Sequence, residues 1–420
     1  MNLFNLKTQK AQLWIFISLI CIFIIGEYSR LGDFLIYLEA SVDFFKNEEI
    51  YVRRYGAPAV FPYMGSPTLA FLLYPFTLLP FLVAASIWKI INIFLILRVW
   101  WLLRQYLPFH RYSNSDNFKL TLYSFLSISF LLYFNFHLVQ FTIFLLFSVL
   151  ESIYRIRNKK QISFGALILS LGIITKLLPV VAIPYFIFRG YFKAAFLSLT
   201  FTFLLFFVPS LYVGLEYNTA QNLAWANSIN PSQSLNVFDV STRNIHGVAS
   251  LISTLTIDGI GNSYSLKVKR NIVDLDPQIV IILILVVKLF LICFSLFFLN
   301  LKSIFRDNDS RIKQLWELSY ILGVIPLIFP QQRSYAFLFL FPAIAYLVHH
   351  CFFYAKKINY KYALLLILIL TLTNLELLLG HFRQYYWHFK TLTYASLFLL
   401  LLLSLKRPAV SKNTVVEGLL

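Results

Sequence analysis

Asp33 is the sharpest chemical feature of the chain. It stands in Arg30-Leu31-Gly32-Asp33-Phe34, just beyond an apolar run, and Phe34, Leu35, Leu38, Val42 and Phe45 recur after it at helical spacing. That spacing predicts an amphipathic helix lying in a membrane interface, with Glu39, Asp43 and Lys46 on another face. A carboxylate where hydrocarbon meets water can meet a lipid-linked substrate and a polar acceptor together, and partial burial raises its pKa toward that of a useful general base. The other reading of the same residue is a helix N-cap that accepts from free backbone N–H groups. Lys176, in Thr175-Lys176-Leu177-Leu178-Pro179, is a lysine at membrane depth, which calls for a polar cavity, an anionic group or head groups within reach. Arg333, in Pro330-Gln331-Gln332-Arg333-Ser334-Tyr335, suits a bidentate phosphate contact.

Further polar groups fall between apolar runs. Asn135-Phe136-His137-Leu138-Val139-Gln140 offers hydrogen bonds to a sugar, or serves as turn and cap. Ser241-Thr242-Arg243-Asn244-Ile245-His246-Gly247 gathers several donors in a long polar loop, with Arg243, Asn244 and His246 as binding candidates. Tyr63, in Phe61-Pro62-Tyr63-Met64-Gly65-Ser66-Pro67, belongs to a rigid aromatic wall or an aromatic belt. There is no Walker A motif, no G-x-G-x-x-G, no H-E-x-x-H and no Cys/His cluster with metal spacing, which argues against ATP-driven transport and zinc proteolysis. The first outer loop lacks a D-x-D pair, so no metal or other cofactor is expected.

The elements that must position these groups are written in the composition. Of 420 residues, 59% are hydrophobic and only 13% charged, and Phe alone supplies 44. Soluble domains carry about twice that charge, so a cytosolic enzyme, a disordered chain and a disulfide scaffold are excluded. The apolar runs are too long for barrel strands and read as an all-α polytopic membrane protein. The net charge of +18 fits cytoplasmic loops and anionic head groups rather than nucleic acid.

Runs at 13–25, 82–103, 119–136, 138–154, 193–213, 278–300, 314–330, 334–354, 362–380 and 390–405 read as spans, and 162–189 as two short spans meeting at Lys176 to Pro179. Twelve spans from an inside start place Lys7, Lys10, Arg104, Arg155, Arg157, Arg189 and Lys313 in short inner segments, as the positive-inside rule requires. Both termini are then cytoplasmic. Outer loops fall at about 30–80 and 214–277, the first holding a short apolar segment, 66–80, read as re-entrant or interfacial. Two portions are expected: a catalytic module over 1–345, and C-terminal helices with a short tail over 346–420.

In their order and common outer placement these residues resemble the polyprenyl-phosphate-sugar-dependent membrane glycosyltransferases of the GT-C superfamily, closest to the bacterial alpha-mannosyltransferase-like branch that includes the phosphatidylinositol-mannoside mannosyltransferase. The resemblance rests on Gly32-Asp33-Phe34 with Tyr37, then Tyr51, Pro62-Tyr63, Pro67 and Pro80, the Asn135 to Gln140 turn, Lys176 to Pro179, and Asn244-Ile245-His246-Gly247. It covers about residues 1–345. Phe136 and His137 stand where relatives often carry glycine, and the Gln331 to Tyr335 stretch lacks the Trp–His pair common among them.

The resemblance implies a GT-C-like bundle of about twelve helices in a bacterial cytoplasmic membrane. It implies inverting transfer of a hexose, mannose by family habit, from a polyprenyl-phosphate donor to a lipid or glycan acceptor hydroxyl on the outer face. Asp33 would be the base, and Lys176, Arg243 or Arg333 would hold the departing phosphate. Two other functions suit a polytopic chain. A flippase of lipid-linked saccharides would line a mid-bilayer path with Lys89, Arg98, Lys288 and Glu376; an O-antigen-type polymerase or ligase would depend on the second outer loop.

Overall fold

The computed structural model describes residues 30–408 except 57, 109–111, 261–265, 267, 300–303, 306–309 and 355–378. The expected span at 13–25, most of that at 362–380, and Glu376 lie outside the described residues.

Helix α1 (Phe34–Phe45) follows Asp33 and leads to a two-residue hairpin, β1 (Arg54–Tyr55) antiparallel to β2 (Phe61–Pro62), with Arg54 opposite Pro62. Helix α2 (Pro67–Thr77) starts where Pro67 occupies a position needing no N–H, and its Ser66 cap accepts from the Leu69 N–H at 3.0 Å. At 11 residues it rises about 16 Å, half the hydrocarbon thickness, and packs mainly on α1. Helices α3 (Phe81–Tyr106), α4 (Asn114–His137), α5 (Thr142–Asn158) and α6 (Ile162–Thr175) follow.

The ambiguous stretch 162–189 is broken as expected: α6 stops before Lys176, a 3-10 turn covers Leu178–Val181, and α7 (Ala182–Phe188) resumes. Then come α8 (Phe192–Phe207), α9 (Ser210–Val213), α10 (Leu215–Ile229), α11 (Ser234–Val237), α12 (Val248–Thr256), α13 (Pro277–Phe298) and α14 (Arg311–Ile328). A 3-10 segment, Ser334–Leu340, runs into α15 (Phe341–Tyr354), and α16 (Arg383–His388) and α17 (Thr391–Leu405) close the order.

Among the described residues five helical stretches are long and apolar enough to cross a membrane: Phe81–Tyr106, Asn114–His137, Phe192–Val213, Pro277–Phe298 and Ser334–Cys351. The pair Gly380–His388 and Thr391–Leu405, bent by 69°, makes a sixth if taken as one span. Twelve spans are not reached among these residues. Helix α13 keeps Ile279, Ile282, Leu285, Leu289, Phe290 and Ile292 exposed, as a lipid-facing helix does. A boundary at 345 would fall within α15, and Leu399, Leu400 and Leu403 pack in the same core as Leu145, Trp316 and Phe341.

Buried charges tie the other helices together. Glu151 on α5 accepts from Arg98 at 2.8 Å and Arg155 at 2.5 Å, and Glu317 on α14 pairs with buried Arg189. Lys89 is buried and donates to the Arg30 carbonyl at 2.9 Å. Two of the four residues a flippase would use are thus engaged in such contacts.

Candidate functional site

The site begins at a close backbone approach. Gly32 has φ +54, and a Cβ there would lie 2.5 Å from the Leu138 carbonyl carbon. Only glycine fits, and the approach lets the Asp33 N–H donate to the Leu138 carbonyl at 2.9 Å. Asp33 occupies the N-cap position of α1, yet its side chain makes no cap hydrogen bond. Instead Oδ2 accepts from Gln140 Nε2 at 2.6 Å.

Gln140 is fixed through its backbone. Its N–H donates to the Asn135 carbonyl at 2.8 Å, and its own carbonyl accepts from Trp88 Nε1 at 3.2 Å and Asn92 Nδ2 at 3.3 Å. The turn that delivers it places Val139, a β-branched residue, at φ +51, a strained backbone that the surrounding packing must hold. Gln140 is fully buried, whereas the Asp33 side chain keeps 19% of its surface exposed.

Two cations converge on that carboxylate. Arg333 Nη1 lies 3.9 Å from Asp33 Oδ2, close enough for strong attraction but too long for a hydrogen bond. Lys176, left in an extended backbone where Pro179 ends the helical path, puts its ammonium 5.4 Å from the Tyr335 ring centre and acts electrostatically on Tyr37 and Asp33. The end of α6 is fixed by Ser66, whose hydroxyl donates to the Ile174 carbonyl. Burial pushes the Asp33 carboxyl up from the ordinary range, and Arg333, Lys176, Gln140 and His137 each pull it back. One carboxylate facing two cations leaves unbalanced positive charge at a partly exposed point. The group can take a proton and seat an anion together.

Arg333 is held by the long polar segment between α10 and α13. Ile245 forms an antiparallel bridge with Arg333, and the His246 N–H donates to the Gln332 carbonyl at 3.0 Å. Ser334 Oγ donates to Asn244 Oδ1 at 2.6 Å, and His246 Nε2 lies 3.2 Å from the same oxygen. Lys390 Nζ donates to the Ile245 carbonyl at 2.9 Å, and Thr393 Oγ1 to the His246 carbonyl at 2.7 Å. Behind them buried Asp239 receives the Gln331 N–H at 3.0 Å on both carboxylate oxygens. Burial raises the Asp239 carboxyl to about 7, against the pull of the Gln331 N–H, Lys288 and Lys390.

Of the residues expected from sequence, Asp33, Gln140, Lys176 and Arg333 come together. Asn135 lies in the last turn of α4 rather than in the loop after it, and its Nδ2 donates to the Tyr335 carbonyl at 3.0 Å, bracing the ring under Lys176. Tyr63 is buried, donates to the Ser66 carbonyl at 2.7 Å, and meets Tyr37 edge-on at 5.7 Å, so it stands behind the site. His246 is fully buried between Phe337 and Tyr386, and burial holds it neutral, far below the ordinary histidine range. Asn244 braces Ser334. Arg243 is exposed, 5.2 Å from the Trp387 ring centre, outside the group around Asp33. Sequence reasoning missed Tyr335, Asp239 and Lys390; a tyrosine in an apolar run and two charges in polar stretches carry no periodic signal.

No curated protein and no solved structure matches the chain. The family model for Glycosyltransferase family 87 matches residues 63–304, more than half of the sequence. Tyr63, Asn135, Gln140, Lys176, Arg243, Asn244 and His246 fall inside the matched region, and Asp33 and Arg333 outside it. With its membrane-length apolar helices and this match, the chain belongs to Glycosyltransferase family 87, a GT-C-type family of membrane glycosyltransferases, and is an enzyme of that class.

Proposed function

We propose that the enzyme moves a hexose, mannose in the first instance, from a polyprenyl-phosphate donor to an acceptor hydroxyl at the outer face of a bacterial cytoplasmic membrane, with inversion. The observation that carries this reading is the Asp33 carboxylate held by Gln140 and faced by Lys176 and Arg333. Asp33 takes the acceptor hydroxyl proton as the acceptor oxygen bonds to the anomeric carbon. The bond from that carbon to the phosphate oxygen breaks, and its electron pair leaves with the polyprenyl phosphate. The departing phosphate gains a negative charge, which Lys176 and Arg333 are close enough to receive. Phosphate is already a good leaving group, so a base, a cationic clamp and exclusion of water suffice without a strong acid. The lack of a D-x-D pair in the first outer loop supports a reaction independent of metal.

The test uses purified protein in lipid nanodiscs, a labelled short-chain polyprenyl-phosphate mannose and a panel of lipid and glycan acceptors. Wild-type transfer that survives chelator and falls at least a hundredfold in Asp33→Asn, with an unchanged unfolding midpoint, is the expected result. Equal turnover by the two proteins keeps the enzyme class and removes Asp33 as base.

A further inference from the structure

Two residues before Ile245, the bridge partner of Arg333, the chain builds a second cationic feature that the transfer reading does not use. Arg243 and Arg383 are both exposed, and the guanidinium carbon of each lies 5.2 Å from the Trp387 ring centre. The two are therefore no farther apart than twice that distance. Arg270 reaches the His388 carbonyl at 3.4 Å, and Lys390, at the bend between α16 and α17, bonds the Arg243 carbonyl at 3.2 Å. Four basic side chains thus gather at one elbow. Among the described residues none of them has a carboxylate within ion-pair range. The carboxylate that acts on Lys390, Asp239, is buried and already receives the Gln331 N–H.

Several other cations among the described residues are paired with carboxylates instead. Arg53 meets Asp43 and Glu48, Arg98 and Arg155 share Glu151, and Arg189 has Glu317. At the elbow the Trp387 indole takes that place, with two exposed guanidinium groups over its ring. The elbow also carries the marks of the membrane surface. Phe382, Tyr385 and Phe389 are 65%, 43% and 42% exposed around it, and α17 continues from it as the leucine-rich Thr391–Leu405.

We propose that Arg243 and Arg383, held on Trp387, form a binding site for a phosphate group, presented there by the headgroup of an anionic membrane lipid. The planar forks of two arginines match the oxygens of a phosphate, and the exposed aromatic side chains place the site at headgroup depth. Arg243 is two residues from Ile245, which bridges Arg333, so a lipid seated here lies beside the Asp33 site without entering it.

The site is tested without any sugar donor, so its outcome is separate from that of the transfer reading. Full-length protein in an uncharged detergent is titrated with dioctanoyl phosphatidylglycerol, with dioctanoylglycerol and with inorganic phosphate, and the unfolding midpoint is followed. The double variant Arg243→Gln/Arg383→Gln and an exposed control, Arg54→Gln, are measured alongside. The expected result is saturable stabilisation of the wild type and the control by the phospholipid, with half-saturation at least about tenfold higher in the double variant. Stabilisation by inorganic phosphate at similar concentrations, also lost in the double variant, keeps the phosphate site and assigns it to soluble phosphate. Equal stabilisation by the phosphate-free lipid, or an unchanged half-saturation in the double variant, overturns the proposal.

Discussion

Replacing Gly32 with alanine tests how the carboxylate is aimed. Two separate penalties act at this position. A backbone at φ +54 costs a non-glycine residue about 1 kcal/mol. The new Cβ would also sit 2.5 Å from the carbonyl carbon of Leu138, where ordinary contact begins at 3.4 Å, so two backbone segments must part by nearly 1 Å. Overpacking of that kind costs a further ~1–3 kcal/mol. The parting lengthens the 2.9 Å bond from Asp33 N–H to the Leu138 carbonyl, and Gln140 is two residues beyond Leu138 on the same turn. The carboxylate and its amide partner therefore shift against each other, and a misplacement of about 1 Å lowers a catalytic rate on the order of a hundredfold.

Gly380→Ala supplies the control, because Gly380 has φ +51 and nothing within 4 Å of its added Cβ. It carries the strain without the clash and should cost about 1 kcal/mol with transfer intact. Transfer from the labelled donor and the unfolding midpoint are measured for both variants. If Gly32→Ala transfers sugar as well as Gly380→Ala does, the close approach of residues 32 and 138 does not aim the base.

Two further outcomes follow from the same contacts. Gln140→Leu removes the hydrogen bond that pulls the Asp33 carboxyl down, so Asp33 should hold its proton to higher pH and the acid limb of the transfer profile should move upward; an unmoved limb would separate Gln140 from the base. Asp239 has its carboxyl raised in the folded chain, from 3.8 to about 7, so the native state binds this proton more tightly than the unfolded one. Its contribution to stability is full below 3.8 and is lost as pH rises through about 7, a change of up to about 4 kcal/mol. Asp239→Asn should flatten the unfolding midpoint over that window, and a midpoint as pH-dependent as in the wild type would assign the effect to another group.

The parts of the site that sequence could reveal were those with a conflict on their face. A carboxylate beside an apolar run, and a lysine before proline within apolar sequence, are costly placements, and both residues reach the site. The break at Lys176 to Pro179 was legible for the same reason, since proline cannot continue the α6 ladder. The partnership of Asp33 with Gln140 was not, because it depends on Gly32 and Leu138 touching across a long separation. Nor was the burial of His246: the segment 241–247 has the composition of a solvated loop, and only its pairing with 331–333 and the bonds from Lys390 and Thr393 enclose it. Asn135 reads as a turn residue by type, yet α4 runs through to His137, because the close approach of Leu138 to Gly32 fixes where that helix ends.

The bridge between Ile245 and Arg333 also bears on how the enzyme is made. Chains enter the membrane from their N-terminal end, and domains assemble in that order. Asp33 is made early, and Gln140 and Lys176 follow, but Arg333 is added only after most of the chain, and Lys390, which clasps the strand beside it, later still. A half-made chain therefore holds the Asp33 carboxylate without both of the cations that face it. Ribosomal stalling or truncation anywhere before residue 333 would leave a protein unable to complete the charge pattern around Asp33.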